Sequence, residues 1–231
     1  MKIKNTFIWI IFLIFGVISF VFYLNTNKPK VKTGMIKYVA IGDSYTIGLG
    51  VDEKDSWPNI LTNHLKEEGI DIDLVANPAV SGYLVRHAIE SELPIVEKIK
   101  PDLVTVLIGA NDSFGRKEAT VYHKELIDLL DRLQPLLTNP KNIVLLTIPD
   151  YTVSVAYREY EKAEFSELIG EYNQVIKEET DKRGLKVADI FPVSQTMNKK
   201  EDYVFDGLHP SAQSYDRWES AIFPVVRSLF P

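Results

Sequence analysis

The feature that most constrains the fold is the run at residues 103–108, where apolar and β-branched side chains follow one another without a charged break. A strand with one face in water alternates apolar and polar residues, and this run does not. It therefore predicts a strand buried on both faces of a parallel sheet. Similar runs at residues 38–41 and 142–147 predict two more strands.

Segments with helical patterns alternate with the strand-like runs along the chain. The helical segments lie at residues 57–68, 84–99, 120–137, 162–182 and 211–230, and two further strands are predicted at residues 70–76 and 185–191. Right-handed crossovers between parallel strands place helices on both faces of a sheet. The pattern therefore predicts an α/β fold, a three-layer α/β/α sandwich with a five-stranded parallel sheet.

The first part of the chain differs from the rest. Residues 7–24 form an apolar run of 18 residues, which as a helix would span about 27 Å, close to the hydrocarbon thickness of a bilayer. No small-residue cleavage pattern follows the run, which favours an uncleaved anchor over a cleaved signal peptide. We therefore expect a membrane anchor or signal segment over residues 1–27, a linker over residues 28–35 and one globular domain over residues 36–231.

This organisation predicts a single-pass protein of the cell membrane whose globular domain lies outside the cytoplasm. If the segment is cleaved, the same reasoning predicts a secreted protein. Lysines stand on both sides of the apolar run, so the distribution of positive charge leaves the orientation open.

Composition excludes several classes of function. The chain has no cysteine, which rules out disulfides, thiolate catalysis and cysteine-ligated metals. The formal net charge is −6, and residues 1–34 hold lysines but no acidic residue, so the globular part is more acidic still. Such an acidic domain is a poor candidate for binding nucleic acid.

Candidate catalytic side chains follow three of the predicted strands. Ser44 follows the first strand, Asn111 the third, and Asp206 and His209 the fifth. The carboxyl ends of parallel strands meet at one edge of a sheet, where such folds carry their chemistry. A serine hydroxyl attacks a carbonyl only when a base accepts its proton and a third group orients that base. We expect Ser44 to be the nucleophile, His209 the base and Asp206 the orienting acid.

A tetrahedral intermediate also needs donors for its oxyanion, and the candidates are the Ser44 amide, the Gly82 amide and the Asn111 side chain. We expect Asn111→Ala to lower kcat by about 10² to 10³ and barely to move the melting temperature. The alternative is that Asn111 braces its loop, in which case the variant loses stability. Asp43 is expected to hold the loop around the nucleophile, and Asp112 to brace the Asn111 loop.

Together these motifs resemble the SGNH hydrolases, also called the GDSL family. The matching residues are Ser44 in Gly-Asp-Ser, Gly82, Asn111 in Gly-x-Asn-Asp, and His209 in Asp-x-x-His, and the match spans residues 36–230. Tyr45 stands where the family often has leucine, which bears on the shape of the acyl pocket. The Gly-x-Ser-x-Gly motif of α/β-hydrolases is absent, because Thr46 follows in place of the second glycine.

The resemblance implies a flavodoxin-like fold and a serine esterase, lipase or acylhydrolase that works without a metal or organic cofactor. Its substrate would be a small acyl ester or a lipid, such as a lysophospholipid or a thioester, cleaved through an acyl-enzyme. The expected partners are this substrate and the membrane, with no nucleic acid, and the expected state is a monomer. Two alternatives stay open: an O-deacetylase of cell-envelope polysaccharide, and a tethered binding domain without turnover.

Overall fold

A five-stranded parallel sheet forms the centre of the structure. The computed structural model describes residues 34–157 and 162–230. The strands are β1 (Ile36–Gly42), β2 (Ile72–Ala76), β3 (Leu103–Leu107), β4 (Ile143–Leu146) and β5 (Lys186–Ala188). Their order is β2-β1-β3-β4-β5, and each neighbouring pair is parallel. The predicted α/β fold is confirmed, and the strand order is that of flavodoxin.

Helices cover both faces of the sheet. They are α1 (Ser44–Ile47), α2 (Trp57–Glu67), α3 (Val85–His87), α4 (Leu93–Ile99), α5 (Ala110–Phe114), α6 (Ala119–Leu133), α7 (Lys162–Arg183), α8 (Phe191–Ser194) and α9 (Ala212–Arg227). A π-helical turn, Ala88–Glu92, joins α3 to α4. Helices α2 and α9 pack against each other over one face, and α3, α6 and α7 form a second group that includes the π-helical turn. The sheet lies between the two helical layers.

Burial along the strands follows their place in the sheet. Every residue of β3 and β4 is buried, whereas the edge strands β2 and β5 are partly exposed. The one hydroxyl within β3, that of Thr105, lies 2.7 Å from the Tyr38 hydroxyl of β1. Because buried polar groups are destabilising without a partner, this hydrogen bond explains how a threonine is accommodated in the central strand.

The strand order places the candidate site. The chain passes from β1 to β2 on one side of β1 and then crosses to β3 on its other side, so β1 and β3 are neighbours whose following loops diverge. Open α/β sheets bind ligands in the crevice at such a switch point. Ser44 follows β1 and Asn111 follows β3, which brings both to this crevice.

The predicted membrane anchor at residues 7–24 lies outside the described residues. Across residues 34–157 and 162–230, no helix has both the length and the apolar composition that a membrane span requires.

Gly42 ends β1 in a place where no side chain fits. A Cβ atom there would lie 2.5 Å from the Leu107 carbonyl oxygen and closer still to the Thr46 hydroxyl. We therefore expect Gly42→Ala to lower the free energy of unfolding by about 1–3 kcal/mol, as overpacking does. Chemical denaturation measures the change.

Gly170 provides the matched control. It lies on the exposed side of α7, and a Cβ atom there would have nothing within 4 Å. Gly170→Ala should raise the free energy of unfolding by about 0.4–1 kcal/mol, because alanine restricts the unfolded chain. Equal stability of the two variants would contradict the predicted clash at Gly42.

Candidate active site

A continuous chain of hydrogen bonds links Asp206, His209 and Ser44. The His209 Nδ1 atom lies 2.7 Å from Asp206 Oδ2, and the His209 Nε2 atom lies 2.9 Å from Ser44 Oγ. Ser44 and His209 are 165 positions apart in sequence, so folding of the whole sheet is needed to bring them together. The structure thus assembles the three residues that the sequence predicted as nucleophile, base and acid.

A tight turn carries both Asp206 and His209. The Asp206 Oδ1 atom accepts the backbone N–H groups of Leu208 at 2.8 Å and His209 at 3.0 Å. Gly207 takes a φ of 72°, in the left-handed region that favours glycine. The backbone N–H of Val204 donates to the His209 carbonyl and closes the turn. These hydrogen bonds fix the orientation of the Asp206 carboxylate toward the His209 imidazole.

The Asp206 side chain is only 29% exposed. Burial raises its pKa, but the hydrogen bonds from the His209 ring and from two backbone N–H groups outweigh burial and hold the pKa below its usual value. Asp206 is therefore a carboxylate at neutral pH and accepts the Nδ1–H of His209. The Nε2 lone pair is then left to accept the Ser44 hydroxyl proton, which is the tautomer that a general base needs.

Tyr45 supports the imidazole from the interior. Its side chain is buried, with ring centroids 5.4 Å from His209 and 5.6 Å from Trp218. It also lines a small cavity together with Tyr203 and Leu208. Tyr45, which the sequence comparison placed where leucine is frequent, therefore packs against the imidazole of His209.

Asp43 holds the turn of the candidate nucleophile, as predicted. Its carboxylate accepts the Tyr45 backbone N–H at 3.0 Å and the Asn111 side-chain amide at 3.1 Å. Burial, with a smaller contribution from the nearby Asp112, raises the pKa of Asp43 to about 7 even though the two donors oppose the shift. One buried carboxyl group thus joins the loops that follow β1 and β3.

The Asn111 side-chain amide donates hydrogen bonds to two acceptors. Its Nδ2 atom lies 3.1 Å from Asp43 Oδ2 and 3.0 Å from the Tyr83 carbonyl oxygen. These contacts tie together the loops after β1, β2 and β3, which is the bracing role that the sequence left as the alternative. The predicted role of Asn111 in the transition state stays a prediction.

The backbone candidates for the oxyanion site are open. Gly82 lies in an exposed turn with a φ of 82°, next to the Tyr83 carbonyl that Asn111 contacts. Within the described ranges, neither the Gly82 N–H nor the Ser44 N–H donates a hydrogen bond to another residue. Gly82 makes no direct hydrogen bond to Ser44 and connects to it through Tyr83, Asn111 and Asp43.

Asp112 braces the Asn111 loop, as predicted. Its carboxylate accepts the Val85 backbone N–H at 3.1 Å and pairs with Lys117. Lys117 also pairs with Glu125 at 2.6 Å, so the charge of the buried Asp112 is compensated. The loops on either side of the candidate oxyanion site are therefore connected twice, through Asp112 and through Asn111.

The other histidines make structural contacts. His64 pairs with Glu219 at 2.9 Å, His123 pairs with Glu179 at 2.9 Å, and His87 accepts the Leu84 backbone N–H at 3.1 Å. In the part of the chain that the structure describes, no cluster of three or more histidine, aspartate or glutamate side chains could hold a metal ion.

Sequence reasoning missed Glu92, whose carboxylate accepts the Gly42 backbone N–H at 2.9 Å. A signal was present, because Glu92 shares the buried helical stripe of Val85, Ala88 and Val96. An acidic side chain in an apolar stripe is rarely left without a role.

Known proteins resemble the chain in sequence and in fold. The profile of the GDSL-like lipase/acylhydrolase family matches residues 40–217. An arylesterase from Vibrio mimicus is 24% identical over 184 residues, which make up 77% of this chain and 82% of that protein.

Solved structures share the fold at low identity. The crystal structure of TesA has a TM-score of 0.69 at 20% identity and covers 84% of this chain and 99% of its own. An acetylxylan esterase from Geobacillus stearothermophilus has a TM-score of 0.67 at 21% identity, with coverage of 86% and 96%. These likenesses extend over the sheet and both helical layers.

The contacts of Asn111 change what its removal should do. Asn111→Ala deletes the donors to Asp43 and Tyr83, leaving two acceptors with fewer partners. We expect the free energy of unfolding to fall by about 1–3 kcal/mol, the usual effect of a lost buried hydrogen bond. Chemical denaturation measures it. The control is Asn198→Ala, at an exposed residue whose side chain makes no hydrogen bond to the described residues, and it should change stability by less than about 0.5 kcal/mol. If Asn111→Ala unfolds at the same denaturant concentration as the wild type, the bracing contacts contribute nothing to the free energy of unfolding.

Proposed function

We propose that this chain, which belongs to the GDSL-like lipase/acylhydrolase family and is an ester-hydrolysing enzyme, cleaves acyl esters with Ser44 as nucleophile. The observation that carries the proposal is the hydrogen-bonded chain from Asp206 through His209 to Ser44, at 2.7 and 2.9 Å. A serine becomes nucleophilic when an oriented base can accept its proton, and these distances satisfy that requirement.

The reaction has two stages. In the first, Ser44 Oγ attacks the ester carbonyl carbon while His209 Nε2 accepts the hydroxyl proton, and the same proton then passes to the departing alcohol. In the second, His209 removes a proton from water, whose oxygen attacks the carbonyl carbon of the acyl-enzyme. The bond from that carbon to Ser44 Oγ then breaks, His209 returns the proton to Ser44 Oγ, and the acid departs. The carboxylate of Asp206 stabilises the imidazolium that forms in each stage.

The oxyanion forms where the Ser44 and Gly82 N–H groups are open. Removing one oxyanion donor typically lowers kcat by about 10² to 10³. Asn111 becomes a third donor by sharing one of its N–H groups between the Tyr83 carbonyl and the developing oxyanion. That contact strengthens as charge accumulates on the substrate oxygen, so it favours the transition state over the ground state.

Exposed apolar side chains support an acyl substrate. Segments that follow the carboxyl ends of four strands each carry at least one exposed apolar side chain. The most exposed of these side chains lies in the turn just before His209. They are Ile47 and Leu49 after β1, Val80 after β2, Phe114 after β3, Val155 after β4, and Phe205, which is 96% exposed. These side chains stand on segments at the same edge of the sheet as Ser44, where the acyl chain of a bound ester can contact them. They favour esters of lipid, lysophospholipid or thioester type.

A panel of p-nitrophenyl esters of increasing acyl length tests this proposal on the full-length protein. We expect hydrolysis with a preference for medium or long acyl chains, because longer chains bury more apolar surface on the exposed side chains. Activity confined to acetate would instead favour an O-deacetylase of polysaccharide. Absence of turnover on every ester would favour the binding domain and contradict the proposal.

The control for the panel is Ser44→Ala. Loss of the nucleophile should lower kcat by about 10⁴ to 10⁶, and a fluorophosphonate probe should label wild type on Ser44 alone. Labelling at another residue, or normal turnover by the alanine variant, would show that a different group is the nucleophile.

We further propose that residues 7–24 anchor the protein in the cell membrane, with the enzyme domain outside the cytoplasm. The support is the length of the apolar run and the lack of small residues after it. Mass spectrometry of the protein from membranes should find peptides from residues 1–24. Soluble protein whose mature amino terminus lies between residues 25 and 35 would show instead a cleaved signal peptide.

A further inference from the structure

Glu92 is a buried acid that the proposed reaction does not use. It is the last residue of the π-helical turn, and its side chain is wholly inaccessible to solvent. Its Oε2 atom accepts the Gly42 N–H at 2.9 Å, while its Oε1 atom has no hydrogen-bond partner among the described residues. A buried carboxyl group with one donor and no cation beside it requires an explanation.

The contact with Gly42 lies directly behind the nucleophile. Gly42 is the last residue of β1, and Asp43 and Ser44 follow it. Glu92, which lies in the connection between β2 and β3, binds the first residue of this turn through the Gly42 N–H. Asp43 binds the other part of the site through Tyr45 and Asn111. Two carboxyl groups therefore set the position of the peptide that leads into Ser44.

The two carboxyl groups repel each other when both are charged, and their hydrogen bonds decide which one keeps a proton. Asp43 accepts from two donors, Tyr45 N and Asn111 Nδ2, and donors favour the charged form. Glu92 accepts from Gly42 alone. Burial, with a smaller contribution from Asp43, raises the pKa of Glu92 to about 8 even though the Gly42 N–H opposes the shift. Of the two carboxyl groups, Glu92 therefore keeps its proton to the higher pH.

Other titratable groups near the π-helical turn have different partners or face solvent. Arg86 on α3 and Glu90 in the turn itself are exposed. On the neighbouring elements the relevant groups are His87, which accepts the Leu84 N–H, Tyr122, which donates to the Ile108 carbonyl, and Asp112, which pairs with Lys117. Among described residues, Asp43 is the charged group that acts on Glu92.

We propose that Glu92 is a positioning residue for Ser44: as a neutral acid it holds the Gly42 peptide, and its ionisation lowers activity at alkaline pH. This inference rests on the proposed serine mechanism. An ionised Glu92 adds a second negative charge behind the turn that bears the Ser44 N–H. That charge opposes the oxyanion that forms in front of the same turn, so the barrier rises.

The experiment compares kcat and KM of full-length wild type, Glu92→Gln, Glu92→Leu and Glu90→Gln on one p-nitrophenyl ester, from about pH 6 to about pH 10. Glu92→Gln keeps an oxygen for the Gly42 N–H and cannot ionise. We expect it to match wild type within a few-fold at pH 7 and to lack the fall in kcat that wild type shows near pH 8. The exposed control Glu90→Gln should retain the wild-type profile.

Glu92→Leu removes the acceptor of the Gly42 N–H, so that only the hydrogen bonds of Asp43 still hold the turn. We expect kcat about 10- to 100-fold lower at pH 7, as small misplacements of reacting groups produce, with KM within a few-fold of wild type. A fall in melting temperature with normal kcat would make Glu92 only structural and overturn the inference. The same alkaline fall in Glu92→Gln and wild type would also overturn it.

Stability provides a readout independent of turnover. A carboxyl group whose pKa is raised on folding stabilises the protein at low pH, and this stabilisation is lost as the pH rises from about 4.5 to about 8. Glu92→Gln should lack this component of the pH dependence, and an unchanged dependence would count against the inference. If Glu92→Leu does not fold, the two Glu92→Gln measurements decide. Normal turnover by Ser44→Ala would instead refute the proposed function itself.

Discussion

The hydrogen bonds of one buried carboxyl group, that of Asp43, hold the candidate active site together. It binds the backbone of its own turn at Tyr45 and the side chain of Asn111, which in turn contacts the Tyr83 carbonyl. Three loops that leave three different strands are thereby fixed to one another. A parallel sheet brings the ends of its strands to the same edge, but it does not set the distances between the loops. The hydrogen bonds of Asp43 set those distances between the loops.

Three carboxyl groups near Ser44 have three different environments, and the environment assigns the role of each. Asp206 is partly exposed and accepts three hydrogen bonds, so it stays charged and can orient His209. Asp43 is buried with two donors, and Glu92 is buried with one. The pKa is thus lowest for Asp206, which has the most donors, and highest for Glu92, which has the fewest, as expected when burial penalises the charged form.

The sequence was sufficient to predict the fold and to select the side chains that the structure brings together at the candidate site, and insufficient to predict the contacts between loops. The run at residues 103–108 has the pattern of a central strand because burial on both faces selects apolar residues. The pairing of Ser44 with His209 followed from chemistry, since a serine nucleophile needs a base. The bracing contacts of Asn111 could not be predicted, because they depend on where the Tyr83 carbonyl points. The contact between Glu92 and Gly42 could not be predicted either, because it depends on which helical face packs against the end of β1.

The ground-state contacts of Asn111 bear on how the oxyanion site can work. A donor that already binds a carboxylate and a carbonyl is held in place, so it needs little reorganisation when charge appears on the substrate. The same carboxylate also repels the oxyanion, which places a limit on how much negative charge this end of β1 can tolerate. A neutral Glu92 behind Gly42 keeps the total charge there at that of Asp43 alone. In the proposed mechanism, bracing of the loops and stabilisation of the transition state are therefore coupled through the protonation of two buried acids.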